Sequence, residues 1–177
     1  METTVNKNGY LLLKNFVWIT VSVISAIVLP QLFHAFGIAT GLGDNVGQMF
    51  LPMYLPVLIL AFKTNAIAGV IAGVLSPIIS FALSGMPNTA MLPFIVLELA
   101  CFGLFAGLLA KRNGNIFVKI AVVQLVSRLV RVAAVLVVGC VHGTVSAMVT
   151  GIVSVTLLGL PGYGLQLLAV PYFMCKK

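Results

Sequence analysis

The chain has 177 residues, of which 61% are hydrophobic and 7% charged, with a mean hydropathy of +1.19. A soluble fold of that composition would have too little polar surface to face water, so residues 1–177 read as a single all-α integral membrane domain. In a soluble protein the net charge of +7 would point to nucleic acid; here the basic residues encode membrane orientation, and no nucleic-acid partner is expected.

Apolar runs separated by polar or Gly/Pro-rich joints predict six membrane spans, at about 11–33, 48–62, 66–83, 91–110, 116–141 and 161–176. The first follows METTVNKNGYLLLKN, which carries Lys7 and Lys14 and no small-residue cleavage site, so the run is expected to remain as a helix. A polar, glycine-rich joint, HAFGIATGLGDNVG, comes next. Its GLGDNVG stretch, 41–47, has the wrong spacing for a dinucleotide loop and reads as a flexible outer loop. The following spans end at KTN, SGMPNT and KRNGN.

After His142 two readings stay open. Either 144–158 forms a short re-entrant or interfacial helix and Pro161 opens the last span, where its missing N–H costs nothing, or one long helix runs through with GLPGYG as a kink. Both keep six crossings. Lys7, Lys14, Lys63, Lys111, Arg112, Lys119, Lys176 and Lys177 then fall on one side, and the opposite joints carry Asp44 and no Lys or Arg. The positive-inside rule makes both termini cytoplasmic.

The two remaining basic residues, Arg128 and Arg131, lie inside the fifth span, in QLVSRLVRVAAVLVVG. At helical spacing Gln124, Ser127, Arg128 and Arg131 occupy one arc of about 100°. An arginine near the bilayer centre costs at least ~2.5–3.5 kcal/mol, so these side chains are retained only if they face protein, a partner or water. Glu98, the acidic residue of the fourth span, lies within about two helical turns of the depth of Arg131. It is expected to pair with Arg131 and to leave Arg128 for a ligand. Arginine's planar fork suits carboxylate or phosphate, so the residues point to an anionic or acceptor-bearing solute; a purely structural network with Glu98, Gln166 and backbone carbonyls is the competing reading.

Small residues four apart, Ser22/Ala26, Gly69/Gly73 and Gly103/Gly107, allow close helix contact and read first as internal packing. Cys101, Cys140 and Cys175 are odd in number and embedded in apolar sequence, so they read as packing residues rather than a disulfide or metal site. No GxxxxGK[ST] motif, metal-ligand cluster or intramembrane acidic pair is present, and His34 and His142 stand alone; no enzyme activity, cofactor or metal is expected of this chain.

The blocks VLPQLFHAFG, QMFLPMYLPVLILAF, AGVIAGVLSPIISFALSGMP, LELACFGLFAGLLAK and GLPGYGLQLLAVP, in that order from Val28 to Pro171, resemble the substrate-binding S component of energy-coupling factor (ECF) vitamin transporters. The chain departs from that family's pattern at Tyr54, where histidine is frequent, at Phe102, where tyrosine is frequent, and in AFKTN. The resemblance implies a subunit of a bacterial cytoplasmic membrane that captures a vitamin-like compound from outside. It would then dock on a transmembrane T component driven by two ATP-binding subunits. It further implies that GLPG is an outer loop, bringing Gln166 to the depth of Glu98 and Arg131, and that the family's paired alanines for docking correspond to Ser22 and Ala26.

Ligand contacts are therefore expected at Arg128, Arg131, Glu98, Gln124 and Gln166, with Tyr54, Tyr163, His34 and Asn88 at a gate or stacking on the ligand. Competing functions are a self-contained secondary transporter or channel and, further off, an intramembrane enzyme or structural subunit.

Overall fold

The computed structural model describes residues 2–41, 49–50, 52–142 and 145–175. These form helices α1 (Glu2–Ala39), α2 (Tyr54–Lys63), α3 (Ala66–Ser84), α4 (Leu92–Ala110), α5 (Ile116–His142), α6 (Val145–Leu158) and α7 (Leu160–Cys175), with no strand among the described residues. Four helical segments, Leu13–Ala39 and the whole of α3, α4 and α5, are long and apolar enough to cross a membrane; α6 and α7 make a fifth if they count as one bent span.

The largest departure from expectation is the second span, 48–62. Its helix α2 has ten residues, a rise of about 15 Å against a hydrocarbon core of ~30 Å, too short to cross alone. Part of the predicted run, residues 48 and 51, lies outside the described residues, as does the proposed loop over 42–47. Apolar up to Lys63, α2 is buried on most of its surface: Val57, Leu58, Leu60 and Ala61 are at most 1% exposed, and Leu55 and Ile59 are half-buried. It packs against α1, α3, α4 and α7 and is the centre of the fold.

The first helix is longer than predicted and continues through the HAFGIA that had read as a joint. Gly37 alone does not stop a helix, since its cost is only about 1 kcal/mol. The helix stops where Thr40 Oγ1 donates to the Phe36 carbonyl at 2.8 Å and Gly41 takes φ +72°, a left-handed cap. By contrast α3 keeps its predicted bounds to within a residue. Asn65 caps it by accepting from Ala68 N–H at 2.9 Å, and Gly85, at φ +70°, donates back to Phe81 O at 2.8 Å.

The closest helix pair is α3 with α4, antiparallel. A Cβ on Gly103 would collide with the Gly69 backbone, one on Gly73 with Leu99, and one on Gly107 with Ala66 and Asn65. The small-residue spacing on these two helices thus serves internal packing, with backbone against backbone. The same contacts set the α2–α3 joint beside the α4–α5 joint, so Lys63, Lys111 and Arg112 gather at one end of the bundle. Lys119 joins them by donating from Nζ to the Arg112 carbonyl, and Trp18 of α1 lies under Lys63 at 5.2 Å.

The C-terminal segment resolves into two helices that meet at Gly159 with a 44° bend. Pro161 is the second residue of α7 and lies in its first turn, where no intrahelical hydrogen bond is lost. Cys101 and Cys140 are free thiols, the first half-buried and the second exposed.

Candidate functional site

The polar arc of α5 points inward. Val118, Val122, Leu125 and Leu129, on the opposite face, are exposed, while Ser127 is buried and donates to Val123 O at 2.8 Å within its own helix. A polar face turned in and an apolar face turned out is the pattern for a helix whose surroundings are lipid.

Glu98 of α4 is 2% exposed and is the centre of the arrangement. Its Oε2 accepts from Arg131 Nη1 at 2.8 Å and from Tyr54 OH at 2.6 Å; its Oε1 lies 3.2 Å from Arg128 Nη1. This corrects the expectation that Glu98 would serve Arg131 alone. Arginines three apart share a helix face, and a carboxylate has two oxygens, so one acid binds both. Beside this triad Gln124 Nε2 donates to Gln166 Oε1 at 3.0 Å, joining α5 to α7.

Tyr54, expected at a gate or stacked on the ligand, is 7% exposed and set into the core, its ring edge-on to Phe102 at 5.3 Å and 89°. Phe102, which the sequence marks as a departure from the family pattern but not as a ligand contact, is one helical turn beyond Glu98 on α4. Removing the tyrosine hydroxyl in Tyr54→Phe keeps the ring and deletes one charge-assisted bond. A loss of about 1–2 kcal/mol in unfolding free energy is expected from denaturation in detergent, between the membrane and charged-group values.

Tyr163, carried by the GLPGYG segment at the start of α7, comes under Arg128: the guanidinium carbon is 5.3 Å from its ring centre. Four buried polar atoms here have no hydrogen-bond partner among the described residues: Arg128 Nε and Nη2, Tyr163 OH and Gln166 Nε2. Two arginines and one glutamate leave the cluster with one net positive charge. Glu98 is the only Asp or Glu in the sequence from residue 45 onward, so no later acid can cancel it.

Of the other expected site residues, His34 is half-buried on α1, its Nδ1 without a partner among the described residues, and it follows Phe33, whose ring packs on Phe50 at 5.2 Å. Asn88 is exposed in the α3–α4 joint, where Oδ1 accepts from Ala90 N–H at 3.1 Å. Ser22 and Ala26 are 5% and 0% exposed, facing this chain's own interior in the conformation described. No group of three or more potential metal ligands occurs among the described residues.

Comparisons with family models, with curated proteins and with solved structures returned no match. The site's chemistry therefore carries the functional reading. A buried, net positive cluster in which three residues leave four polar atoms unsatisfied is arranged to receive hydrogen-bond acceptors and negative charge.

Proposed function

We propose that this chain is the substrate-capturing membrane subunit of an ECF-type importer and binds a vitamin-like solute bearing an anionic group. It would cross the bacterial cytoplasmic membrane six times with both termini inside, α2 with the residues before it counting as one crossing. The observation that carries the reading is the buried positive cluster, with Arg128, Tyr163 and Gln166 each keeping an unpartnered polar atom. A pair of arginines costs too much inside a membrane to be kept for packing alone when a single carboxylate balances only one of them.

Two further features support it. The basic residues of the α2–α3 and α4–α5 joints share one end of the bundle, as a cytoplasmic face requires. The blocks that resemble S components supply part of the cluster: LELACFG contributes Glu98, and GLPGYGLQLL contributes Tyr163 and Gln166. The N-terminal end of α7 adds a partial positive charge beside them.

The chain carries no ATP-binding motif, so energy would come from a T component and two ATP-binding subunits. The test has two steps. Native mass spectrometry of the purified chain is expected to reveal a co-purifying small anion. Proteoliposomes reconstituted with the chain and an ECF module are then expected to accumulate that compound only with internal ATP. Uptake by the chain alone would make it a self-contained transporter, and an empty protein that binds no vitamin at micromolar concentration would sink the capture reading.

A further inference from the structure

Taking the capture reading as its basis, we infer that the group recognised is a single carboxylate, held on the Nε–Nη2 edge of Arg128. Arg128 spends Nη1 on Glu98, which leaves one edge of the guanidinium, two nearly parallel N–H donors, buried and unpartnered. That edge matches the two oxygens of a carboxylate in a planar fork. The ring of Tyr163 lies 5.3 Å from the guanidinium carbon, within cation–π range.

Charge decides between anions. The Arg128–Arg131–Glu98 group sums to +1, so a monoanion brings the site to neutrality. A phosphate monoester, at about −1.5 to −2, would overshoot and leave buried negative charge. The remaining donors agree. Gln124 holds the Gln166 carbonyl, which leaves Gln166 Nε2 as a buried donor with no partner among the described residues, and Tyr163 OH is a further one. Arg131, with its Nη1 on Glu98, is a positioning residue that keeps the carboxylate of Glu98 from swinging wholly onto Arg128.

The experiment uses the full chain in lipid nanodiscs and titration calorimetry with matched probes: nicotinate and nicotinamide, pantothenate and panthenol, biotin and biotin amide, and pyridoxal 5′-phosphate. One carboxylate is expected to bind, and its uncharged counterpart at least about a hundredfold more weakly, because the donors would be left unpaired. Equal affinity for an uncharged partner, or tightest binding of pyridoxal 5′-phosphate, overturns the carboxylate assignment and leaves vitamin capture standing. No binding by any probe, in protein shown to be helical by circular dichroism, overturns both.

Two variants read the same point. Arg128→Lys keeps the charge and loses the fork, and is expected to weaken the carboxylate at least tenfold. Gln166→Glu keeps the shape and supplies the missing negative charge, so it is expected to fold and to lose carboxylate binding by a hundredfold or more. Unchanged carboxylate affinity in a folded form of either variant overturns the proposal.

Discussion

Glu98→Gln is expected to lower the unfolding temperature by on the order of 10 °C and to cut the yield of folded protein sharply. The substitution changes one oxygen to NH2, so shape is kept and charge is the variable. In the native chain Glu98 accepts from Tyr54 and Arg131 on one oxygen and faces Arg128 with the other. Without it, two buried guanidinium groups face each other with no counter-charge. Breaking a buried pair by removing one partner costs about 3–5 kcal/mol, and at about 2–4 °C per kcal/mol for a chain of this size the midpoint shift follows.

The loss should be largely reversed by removing one arginine as well. Glu98→Gln with Arg131→Gln returns the cluster to a single positive charge, that of Arg128, and its unfolding midpoint is expected to recover most of the difference. Differential scanning fluorimetry on the parent, the single variant and the double variant measures the cycle. A single variant that melts within about 2 °C of the parent would show that the arginines are satisfied without the carboxylate, contrary to the geometry.

The second large effect is Gly103→Leu. A Cβ at Gly103 meets the carbonyl and α-carbon of Gly69 across the α3–α4 contact, and backbone cannot move aside as a flexible side chain does. Overpacking a well-filled contact costs about 1–3 kcal/mol, and a backbone clash in the closest helix pair should reach or exceed the upper end. The Gly73–Leu99 contact lies one turn along the same seam, adjacent in sequence to Glu98, so separating the helices also shifts the acid relative to both arginines. Gly103→Leu is therefore expected to lose stability and ligand affinity together.

Gly151→Leu on α6 is the control. A Cβ added there meets nothing within 4 Å and the position is exposed, so stability within about 1 kcal/mol of the parent is expected, helped by leucine's better helix propensity. Comparable destabilisation by the two substitutions would mean that glycine is needed for reasons other than close approach. Thermal unfolding of both proteins in the same detergent decides it.

These two residues bear on function differently. Glu98 holds the arginines so that Arg128 keeps one edge unpartnered, and the glycine seam sets where Glu98 stands. The proposed capture site is thus built from a charge imbalance, +2 against −1, held in place by backbone packing.

Much of this was legible in the sequence because lipid makes the rules strict. Hydropathy marked the apolar helices, and α3, α4 and α5 fall within a residue of their predicted bounds, since Asn65, Gly85 and the KRNGN joint are local signals that terminate helices without help from distant contacts. The inward face of α5 followed from helical periodicity, because Gln124, Ser127, Arg128 and Arg131 share one arc and lipid does not accept them. The single acid beyond residue 44 made a net positive site a matter of counting.

What needed the tertiary structure was everything that depends on two segments meeting. Periodicity places Arg128 and Arg131 on one face but does not say that both reach the same carboxylate, which depends on how far α4 sits from α5. Tyr54 precedes Glu98 by 44 residues, and no local signal joins them; the contact exists because α2, too short to cross alone and largely apolar, is buried at the centre against α4. The small-residue pairs looked alike along the chain. Those of α3 and α4 face each other with no room for a Cβ, and Ser22 with Ala26 turn to the interior, differences set by how each helix is rotated against its neighbours. The sequence by itself therefore determined the medium, most of the helices and the sign of the buried charge. The partners of each polar atom, and the free edge of Arg128 among them, were decided by packing, which acts between residues far apart in the chain.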